Sequence, residues 1–356
     1  MTRPPAPTLL QAAAAATPMA FARAIAAAYR RCGRDPARVL ALAQIAPEHL
    51  EQTDGRITAA QMEVLSGAAM QELDDEALGA FSRRLPWGSY GMVARAALSS
   101  PDLGVALKRW CRYHGLLADD IALELALSGP VAAITIEERR GLGAAREFCL
   151  VHVLRNIHGL ACWYVDSRIP LAEASFPFAA PPHAGAYPLM FPGPVRFGAR
   201  QAAIRFDARY LALPLRRDEK ALRQMLQRAV PLMVLQYRRD RLLVQQVRQA
   251  LAAHPQRTHG AEGLASLLHV SVRTLHRQLK EAGASLQALK DEVRCGRAKD
   301  LLWRSGMPVK QVAEAIGFRN EKSFIRAFRQ WAGQTPAEFR RGVWDGGGPS
   351  PPVHRA

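Results

Sequence analysis

Basic side chains at helical spacing are the first residues of this chain that suggest a chemistry. Lys322, Arg326 and Arg329 recur at i, i+4 and i+7, which puts them on one face of a helix, and Phe324 and Phe328 fall on the opposite face. Arginine can bridge guanine O6 and N7 with its two-pronged donor group, or clamp a phosphate. A solvated, Arg-rich surface helix has the same pattern, so one copy does not decide between the two interpretations.

A second copy of this arrangement lies upstream. Residues 263–283 align with residues 311–333 at an offset of 48 residues before a short turn and 49 after it. The aligned pairs are Ala265 with Ala313, Leu268 with Ile316, Leu275 with Phe324, Arg277 with Arg326, and Leu279 with Phe328. Each copy predicts two helices joined by a tight turn, and a capping residue (Ser271 or Asn320) opens the second helix. This is the pattern of a helix-turn-helix, whose second helix enters a major groove.

The helical period assigns the outward face of each second helix. In the first copy Val272, Leu275 and Leu279 point inward. The side chains predicted to face outward are Arg273, His276, Arg277 and Lys280 in the first copy, and Lys322, Ile325, Arg326 and Arg329 in the second. A duplex offers major-groove openings about 34 Å apart on one side, so two basic faces at a fixed spacing favour DNA binding. A helix around residues 291–304 is expected to set their separation.

Positive charge is concentrated in the same part of the chain. The chain has 356 residues, which favours two domains, and a formal net charge of +17. Residues 238–341 contain 20 Lys and Arg against nine Asp and Glu, so they carry +11 of that total and the rest of the chain carries +6. A basic C-terminal domain of this kind indicates a polyanionic partner.

Several function classes lack their sequence signals. The five cysteines are scattered without CxxC spacing, which is typical of free thiols in a reducing compartment and speaks against a zinc site. No run reaches the ~18 to 20 apolar residues that span a bilayer, and the Ala-rich opening resembles a signal peptide only weakly. We expect a cytoplasmic protein with no membrane segment. No GxSxG, P-loop, HExxH or GxGxxG lies in a suitable context, so we expect neither an enzyme nor a cofactor.

The rest of the pattern predicts an α+β domain ahead of an all-α domain. The predicted helices cover about 17–31 with Thr17 as N-cap, a short stretch after Pro36, 58–73, 101–117 and 144–164, and the predicted strands cover 121–127, 131–138, 171–178, 194–198 and 202–207. The expected divisions are disordered residues 1–16, an α+β domain over 17–215, a linker helix within 216–237, a helical domain over 238–342 with its two motifs at 263–283 and 311–333, and a disordered tail over 343–356.

The C-terminal third resembles a known family. IGFRNEKSFIRAFRQWAGQTPAEFR is similar to the C-terminal signature of the AraC/XylS family of bacterial transcription regulators, with Phe339 where that family more often has tyrosine. The resemblance spans about 239–341. It implies that Arg273, His276 and Arg277 face bases in the first copy. In the second copy it implies base-facing positions at Glu321, Lys322, Ile325 and Arg326. Arg329, farther along its helix, is expected to contact a phosphate.

The N-terminal part resembles the arabinose-binding-like domain that precedes this DNA-binding domain in one branch of the family. The segments DGRITAAQMEVLSGAAM, YGMVARAALSSPDLGVALKRWCRYHGLLADD and YPLMFPGPVRFGARQAAIRFDARYLALPL carry the likeness, which covers about 20–215 and does not imply arabinose itself. The candidate effector contacts are Trp110, Tyr113, His114, His152, His158, Trp163 and Tyr164. The alternative is that these residues fill the core, with the histidines satisfied by backbone partners.

Together these features predict an α+β ligand-binding-type domain followed by an all-α DNA-binding domain with two helix-turn-helix motifs. We expect a one-component transcription regulator that senses a small metabolite, forms a homodimer through its N-terminal domain, binds double-stranded promoter DNA and activates through RNA polymerase. The alternatives are a ligand-independent architectural DNA-binding protein and an enzyme fused to a DNA-binding module.

Overall fold

The structure is a computed structural model that describes residues 17–227, 241–255, 257–258 and 260–344. The chain separates into two compact units, residues 1–238 and 239–356. The expectations for residues 1–16 and for most of the C-terminal tail fall outside the described residues.

The first unit mixes helices with one main sheet, which confirms the α+β prediction. Its described helices are α1 Met19–Arg31, α2 Ala37–Leu42, α3 Ala59–Leu73, α4 Ser89–Leu98, α5 Leu103–Leu117, α6 Arg146–Val165, α7 Tyr187–Met190 and α8 Glu219–Leu226. Its strands are β1 Thr17–Pro18, β2 Arg56–Ile57, β3 Ile121–Ser128, β4 Val131–Glu138, β5 Leu171–Ser175, β6 Val195–Arg196 and β7 Ala202–Asp207. Short 3₁₀ turns connect several of these elements.

The main sheet has the strand order β3-β4-β7-β5-β6 and is antiparallel except for the β5–β6 pair. The predicted hairpin is present: Ile121 faces Glu138 and Ser128 faces Val131 across a two-residue turn. Gly129 in that turn has φ +56°, a conformation that side chains with a Cβ rarely adopt. Helix α6 is buried along most of its length because it packs against α5 and β7, and it forms the centre of the core.

One predicted helix boundary in the first unit is wrong. Thr17 is not an N-cap: Thr17–Pro18 pair antiparallel with Arg56–Ile57, and the helix begins at Met19. Thr17 is buried with its backbone in a strand pair, so this non-local pairing overrides the local capping signal. The linker helix is described only from Glu219 to Leu226, and the remainder of the predicted helix lies outside the described residues.

The described part of the second unit has helices and turns and no strand, as predicted. Its described helices are α9 Leu242–Ala253, α10 Ala261–Leu267, α11 Val272–Glu281, α12 Leu286–Arg304, α13 Val309–Ala315, α14 Glu321–Ala332 and α15 Pro336–Trp344. Helix α12 starts five residues before the predicted 291 because Ser285 caps it, with its Oγ accepting from the Ala288 amide at 3.1 Å. Helix α15 continues two residues past the predicted boundary at 342.

Two separate hydrophobic clusters hold this unit together. The first cluster joins α9, α10 and α11 to Leu286 and Leu289 at the start of α12. The second joins α13 and α14 to Ala298 and Leu302 near the end of α12. Helix α12 has 19 residues, a length of about 28 Å at 1.5 Å per residue. One continuous helix therefore carries both helix-turn-helix motifs and fixes the distance between them.

Candidate nucleic-acid interface and effector cavity

The first recognition helix, α11, separates an aliphatic face from a basic face. Ser271 caps it, with Oγ accepting from the Thr274 amide at 3.1 Å. Leu275 and Leu279 are fully buried in the first cluster. The four side chains predicted to face outward are all exposed: Arg273, His276, Arg277 and Lys280. Arg277 also lies 3.6 Å from Glu281, one helical turn farther along.

The second recognition helix, α14, repeats this division with aromatic anchors. Asn320 caps it, with Oδ1 accepting from the Ser323 amide at 2.8 Å. Phe324 and Phe328 are fully buried, and their rings meet edge to face at 5.6 Å. Its exposed basic side chains are Lys322, Arg326 and Arg329, with Glu321 and Ile325 half-buried beside them. An open groove runs along this face and is bordered by Ile325, Arg326, Arg329 and Thr335.

The turns between the paired helices have matching backbones. His269 has φ +53° and Gly317 has φ +86°, 48 residues apart, so each turn passes through the left-handed region at the equivalent position. The amide hydrogen bonds also correspond: His269 to Ser266 and Val270 to Ala265 in the first turn, Gly317 to Glu314 and Phe318 to Ala313 in the second. Four residues separate α10 from α11 and five separate α13 from α14, which confirms the extra turn residue in the second copy.

The stretch TPAEF after α14 has a structural role. The Thr335 amide donates to Glu338 Oε2 at 2.7 Å, and the Glu338 amide donates to Thr335 Oγ1 at 3.3 Å, so the two residues form a capping box that opens α15. Phe339 packs edge to face against Phe328 at 5.7 Å. These contacts attach α15 to the second recognition helix.

The first unit contains a cavity of ≈ 740 Å³ among α3, α4, α6, α8 and the segment that connects α3 to α4. Its aromatic lining consists of Phe81, Trp87, Tyr90, Trp110 and Phe148. Polar side chains in the lining include Glu63, Gln71, Glu76, His152 and Asn156. A cavity of this size, mostly apolar with a few polar groups, is typical of a small-molecule site.

Two backbone amides hold the Glu76 carboxylate in place. Its Oε1 accepts from the Gly88 amide at 2.8 Å and its Oε2 from the Tyr90 amide at 2.7 Å. These amides lie at the start of α4, so the carboxylate caps that helix from twelve residues upstream. Burial raises the pKa of the Glu76 carboxyl above its usual range.

Helix α8 closes one side of the cavity. Met225, Leu226 and Gln227 line it. A Cβ added at Gly91 of α4 would lie 3.2 Å from Leu226 Cδ1, so the two helices approach closely at this glycine. Arg95 of α4 also pairs with Glu219 of α8 at 2.9 Å. The chain continues from this wall into residues 228–240 and then into the second unit.

Both halves of the chain match described families. Residues 33–215 match the arabinose-binding domain of AraC transcription regulator, N-term, and residues 264–342 match a helix-turn-helix domain. The chain belongs to the AraC family of transcription regulators. It is therefore a DNA-binding transcription regulator with an N-terminal effector-binding domain.

Relatives of this AraC-family chain extend over nearly its whole length. The ornithine utilization regulator of Pseudomonas aeruginosa is 28% identical over 324 residues, which is 91% of this chain and 96% of the relative. An uncharacterized helix-turn-helix regulator of Mycobacterium tuberculosis is 25% identical over 319 residues, which is 87% of this chain and 92% of the relative. Among solved structures, the regulator CdpR from Pseudomonas aeruginosa is 23% identical, covers 86% of this chain and 96% of its own, and has a TM-score of 0.34.

The effector contacts predicted for this AraC-family chain fall into two groups. Trp110 and His152 line the cavity, and Tyr113, His114, His158, Trp163 and Tyr164 do not. His152 donates Nδ1–H to the Phe148 carbonyl at 2.8 Å, and burial lowers its pKa to about 3, so it is neutral at pH 7.

Several of the remaining candidates have packing roles instead. Tyr164 donates its hydroxyl to the Ala94 carbonyl at 2.7 Å, and His158 Nε2 lies 2.8 Å from the Ile169 carbonyl oxygen. Trp163 stacks under the guanidinium of Arg217. His114 is fully buried, and desolvation lowers its pKa to about 4.

Sequence reasoning did not single out the residues that build most of the cavity. Glu76, Phe81, Trp87 and Tyr90 lie in or next to an irregular segment without helical or strand periodicity. The one signal in the sequence is the acidic run DDE at 74–76, which is followed by Phe81, Trp87 and Tyr90 before or at the first turn of α4. In the described part of the chain, no helix is long and apolar enough to cross a membrane, and no group of three or more His, Cys, Asp and Glu side chains is arranged to hold a metal.

Proposed function

We propose that this regulator binds a small metabolite in the cavity of the first unit and converts its presence into altered occupancy of promoter DNA. The two recognition helices enter adjacent major grooves. Base contacts come from Arg273, His276 and Arg277 in the first and from Glu321, Lys322, Ile325 and Arg326 in the second. Lys280 and Arg329, farther along these helices, contact phosphates.

One observation carries the DNA-binding part of this proposal. Both recognition helices bury their apolar anchors in separate cores and leave basic faces exposed, while one continuous helix, α12, spans the two cores. A solvated surface helix has no requirement for a second copy at a fixed distance. Two recognition helices held at a fixed distance by α12 fit the spacing of successive major-groove openings on one side of a duplex.

The coupling part of the proposal rests on α8. This helix both lines the cavity and leads in the chain toward the second unit. Its attachment to α4 depends on the close approach at Gly91 and on an exposed ion pair worth little in water. A ligand that touches Leu226 changes the stability of this attachment, and a ligand can shift an equilibrium by its differential affinity for the two states.

We further propose that the protein is a cytoplasmic homodimer joined through its first unit, that it activates transcription by contact with RNA polymerase, and that it catalyses no reaction. Exposed large apolar side chains on the first unit, including Leu42 and Leu127, offer surface for a dimer to bury. A relative over most of the chain is named for the utilization of ornithine, which is consistent with control of metabolite use.

The test is a variant that fills the cavity. Gly67 lies in the middle of α3 on the cavity lining, and an added Cβ there meets no atom within 4 Å. We expect Gly67→Trp to occupy ligand space and hold the regulator in one state. Promoter occupancy, measured genome-wide across a panel of carbon and nitrogen sources, should then stop responding to the growth medium.

Gly115→Trp is the matched control. Gly115 lies within α5, is exposed, and also has no atom within 4 Å of an added Cβ. This variant should respond like the unmodified protein. A Gly67→Trp protein that still responds fully would exclude the cavity as the sensor. Binding to random DNA as tight as to the operator, with no response to any medium, would favour a ligand-independent architectural protein.

A further inference from the structure

The lining of the cavity is unusual in its combination of aromatic rings with negative charge. Five rings contribute to the wall, and Tyr90 and Trp110 stack at 5.8 Å with their planes 8° apart. The faces of such rings are negative and attract cations, most strongly where water is excluded. Aromatic rings alone would also accept a neutral apolar ligand, so the charged groups of the lining decide which chemical class of ligand the cavity binds.

Glu76 places a carboxylate in this wall. The ionisable side chains of the lining are Glu63, Glu76, Arg95 and His152, apart from the cysteine and tyrosine. Arg95 is paired with Glu219 at 2.9 Å, and the lowered pKa of His152 leaves that ring uncharged at pH 7. Among the described residues of the lining, no unpaired cation remains to hold an anionic ligand.

The geometry of Glu76 makes it suited to hold a cation. Each of its oxygens accepts a single backbone N–H, and a carboxylate oxygen can accept more than one hydrogen bond. The amides of Gly88 and Tyr90 fix the carboxylate without a neutralising side chain, and their hydrogen bonds favour its ionised form against the burial that raises its pKa. The Tyr90 amide donates to Glu76 Oε2, and the Tyr90 ring stacks on Trp110 of α5, so one residue links the carboxylate to the ring pair.

We propose that the effector is a small organic cation, an alkylammonium or quaternary ammonium compound with an apolar body, whose charged head lies between Glu76 and the Tyr90–Trp110 ring pair. The apolar body then lies along α3 and α6 and reaches Leu226 of α8. This inference rests on the proposed function, since it takes the cavity as the effector site.

The direct test compares probes that differ only in charge. Hexylammonium, hexyltrimethylammonium, hexan-1-ol and hexanoate are titrated against the full-length protein by calorimetry, with thermal unfolding as a second measurement. We expect both cations to bind at least tenfold more tightly than hexan-1-ol and to raise the melting temperature. Hexanoate should not bind. Binding of hexan-1-ol or hexanoate equal to that of the cations would overturn the inference, as would the absence of binding by either cation.

A pair of variants assigns the effect to Glu76. Glu76→Gln removes the charge and should weaken hexylammonium binding by tenfold or more while leaving hexan-1-ol unchanged. Asp74→Asn is the control: Asp74 accepts from the Trp87 amide at 3.0 Å in the same segment but does not line the cavity. It should bind both probes as the unmodified protein does. Equal hexylammonium binding by Glu76→Gln and the unmodified protein would contradict the assigned contact.

Failure of this inference and failure of the proposed function give different results. If a neutral or anionic probe binds and Gly67→Trp abolishes that binding, the cavity is a ligand site of another class and the proposed function survives. If Gly67→Trp leaves the transcriptional response intact, the cavity is not the sensor and both proposals fall.

Discussion

The first helix-turn-helix encloses an aliphatic core around Leu275 and Leu279, whereas the second is built around Phe324 and Phe328. Their turns follow the same backbone, yet the first places a histidine in the left-handed region where the second has a glycine. Arg277 has an ion-pair partner, Glu281, one turn away, whereas the equivalent position after Arg326 is the uncharged Gln330.

This comparison separates what the motif requires from what it tolerates. Both copies keep a small residue at the helix crossing, a capping side chain, two buried anchors four residues apart and an exposed basic face. The buried anchor residues can be leucine or phenylalanine as long as each core is filled, because a core tolerates changes that preserve its volume and apolar character. The two copies should therefore differ in stability and in DNA contribution while keeping one architecture.

The largest expected effect is on the second core. Phe328→Ala removes a fully buried ring that contacts Phe324 at 5.6 Å and Phe339 at 5.7 Å, so it should lower the free energy of unfolding by about 3–5 kcal/mol. Leu279→Ala in the first core lacks the edge-to-face ring contacts, worth about 0.5–1.5 kcal/mol each, and should cost less. Hydrogen exchange on the full chain measures the loss element by element.

Because the two cores are separate, the losses should be local. Phe328→Ala should expose the amides of α13 and α14 while α10 and α11 stay protected, and Leu279→Ala should do the reverse. Equal loss of protection in both copies would show that α12 makes them one cooperative unit.

A smaller effect is expected on DNA binding. Arg326→Ala should reduce the affinity for the operator by about 1–3 kcal/mol if the guanidinium reads a base. The loss of operator affinity in Arg277→Ala should lie in the lower part of that range, because Arg277 must give up its contact with Glu281 to reach DNA. Fluorescence anisotropy with operator and random duplexes measures both.

Arg304→Ala is the control for that measurement, because Arg304 is an exposed arginine on α12 paired with Asp300 at 2.7 Å, outside both recognition helices. Equal losses on operator and random DNA would mean that Arg277 and Arg326 contact phosphates alone. A loss of the same size in Arg304→Ala would mean that net charge, not position, governs affinity.

The smallest effect is expected at the turns. Gly317→Ala places a Cβ at φ +86° and should lower the free energy of unfolding by about 1 kcal/mol. His269→Gly relieves left-handed strain of about 1–2 kcal/mol, partly offset by about 0.5–1 kcal/mol of added freedom in the unfolded chain. It should therefore stabilise by about 0.5 kcal/mol. Urea denaturation measures both, and a stabilising Gly317→Ala would contradict the equivalence of the turns.

The periodic elements could be predicted from the sequence. The hairpin at 121–138, helix α6, the two helix-turn-helix copies and their exposed basic faces all follow from local spacing. The helix predicted over 58–73 begins at Ala59, and Thr58 caps it in a capping box with Gln61. These elements could be predicted because their periodicity, their capping residues and their turn residues lie close together in the sequence and all indicate the same structure.

Contacts between distant parts of the chain could not be predicted. The pairing of Thr17–Pro18 with Arg56–Ile57 replaced an N-cap that was locally well supported. The N-cap residue of α4 is a glycine and supplies no side-chain cap. The acceptors come instead from Glu76, twelve residues upstream, which no local capping pattern indicates. Of the candidate effector contacts, only Trp110 and His152 lie on the cavity wall, since the sequence does not show which aromatic residues share a cavity.

The sequence by itself determined the family, the two-copy motif and the basic faces, because helical periodicity and capping act over a few residues and leave a direct trace in the order of residue types. Only the tertiary structure decided which of the many aromatic and acidic side chains enclose a cavity and that α8 forms part of its wall. Such an enclosure depends on elements more than a hundred residues apart, and its shape follows from packing, which no local pattern records.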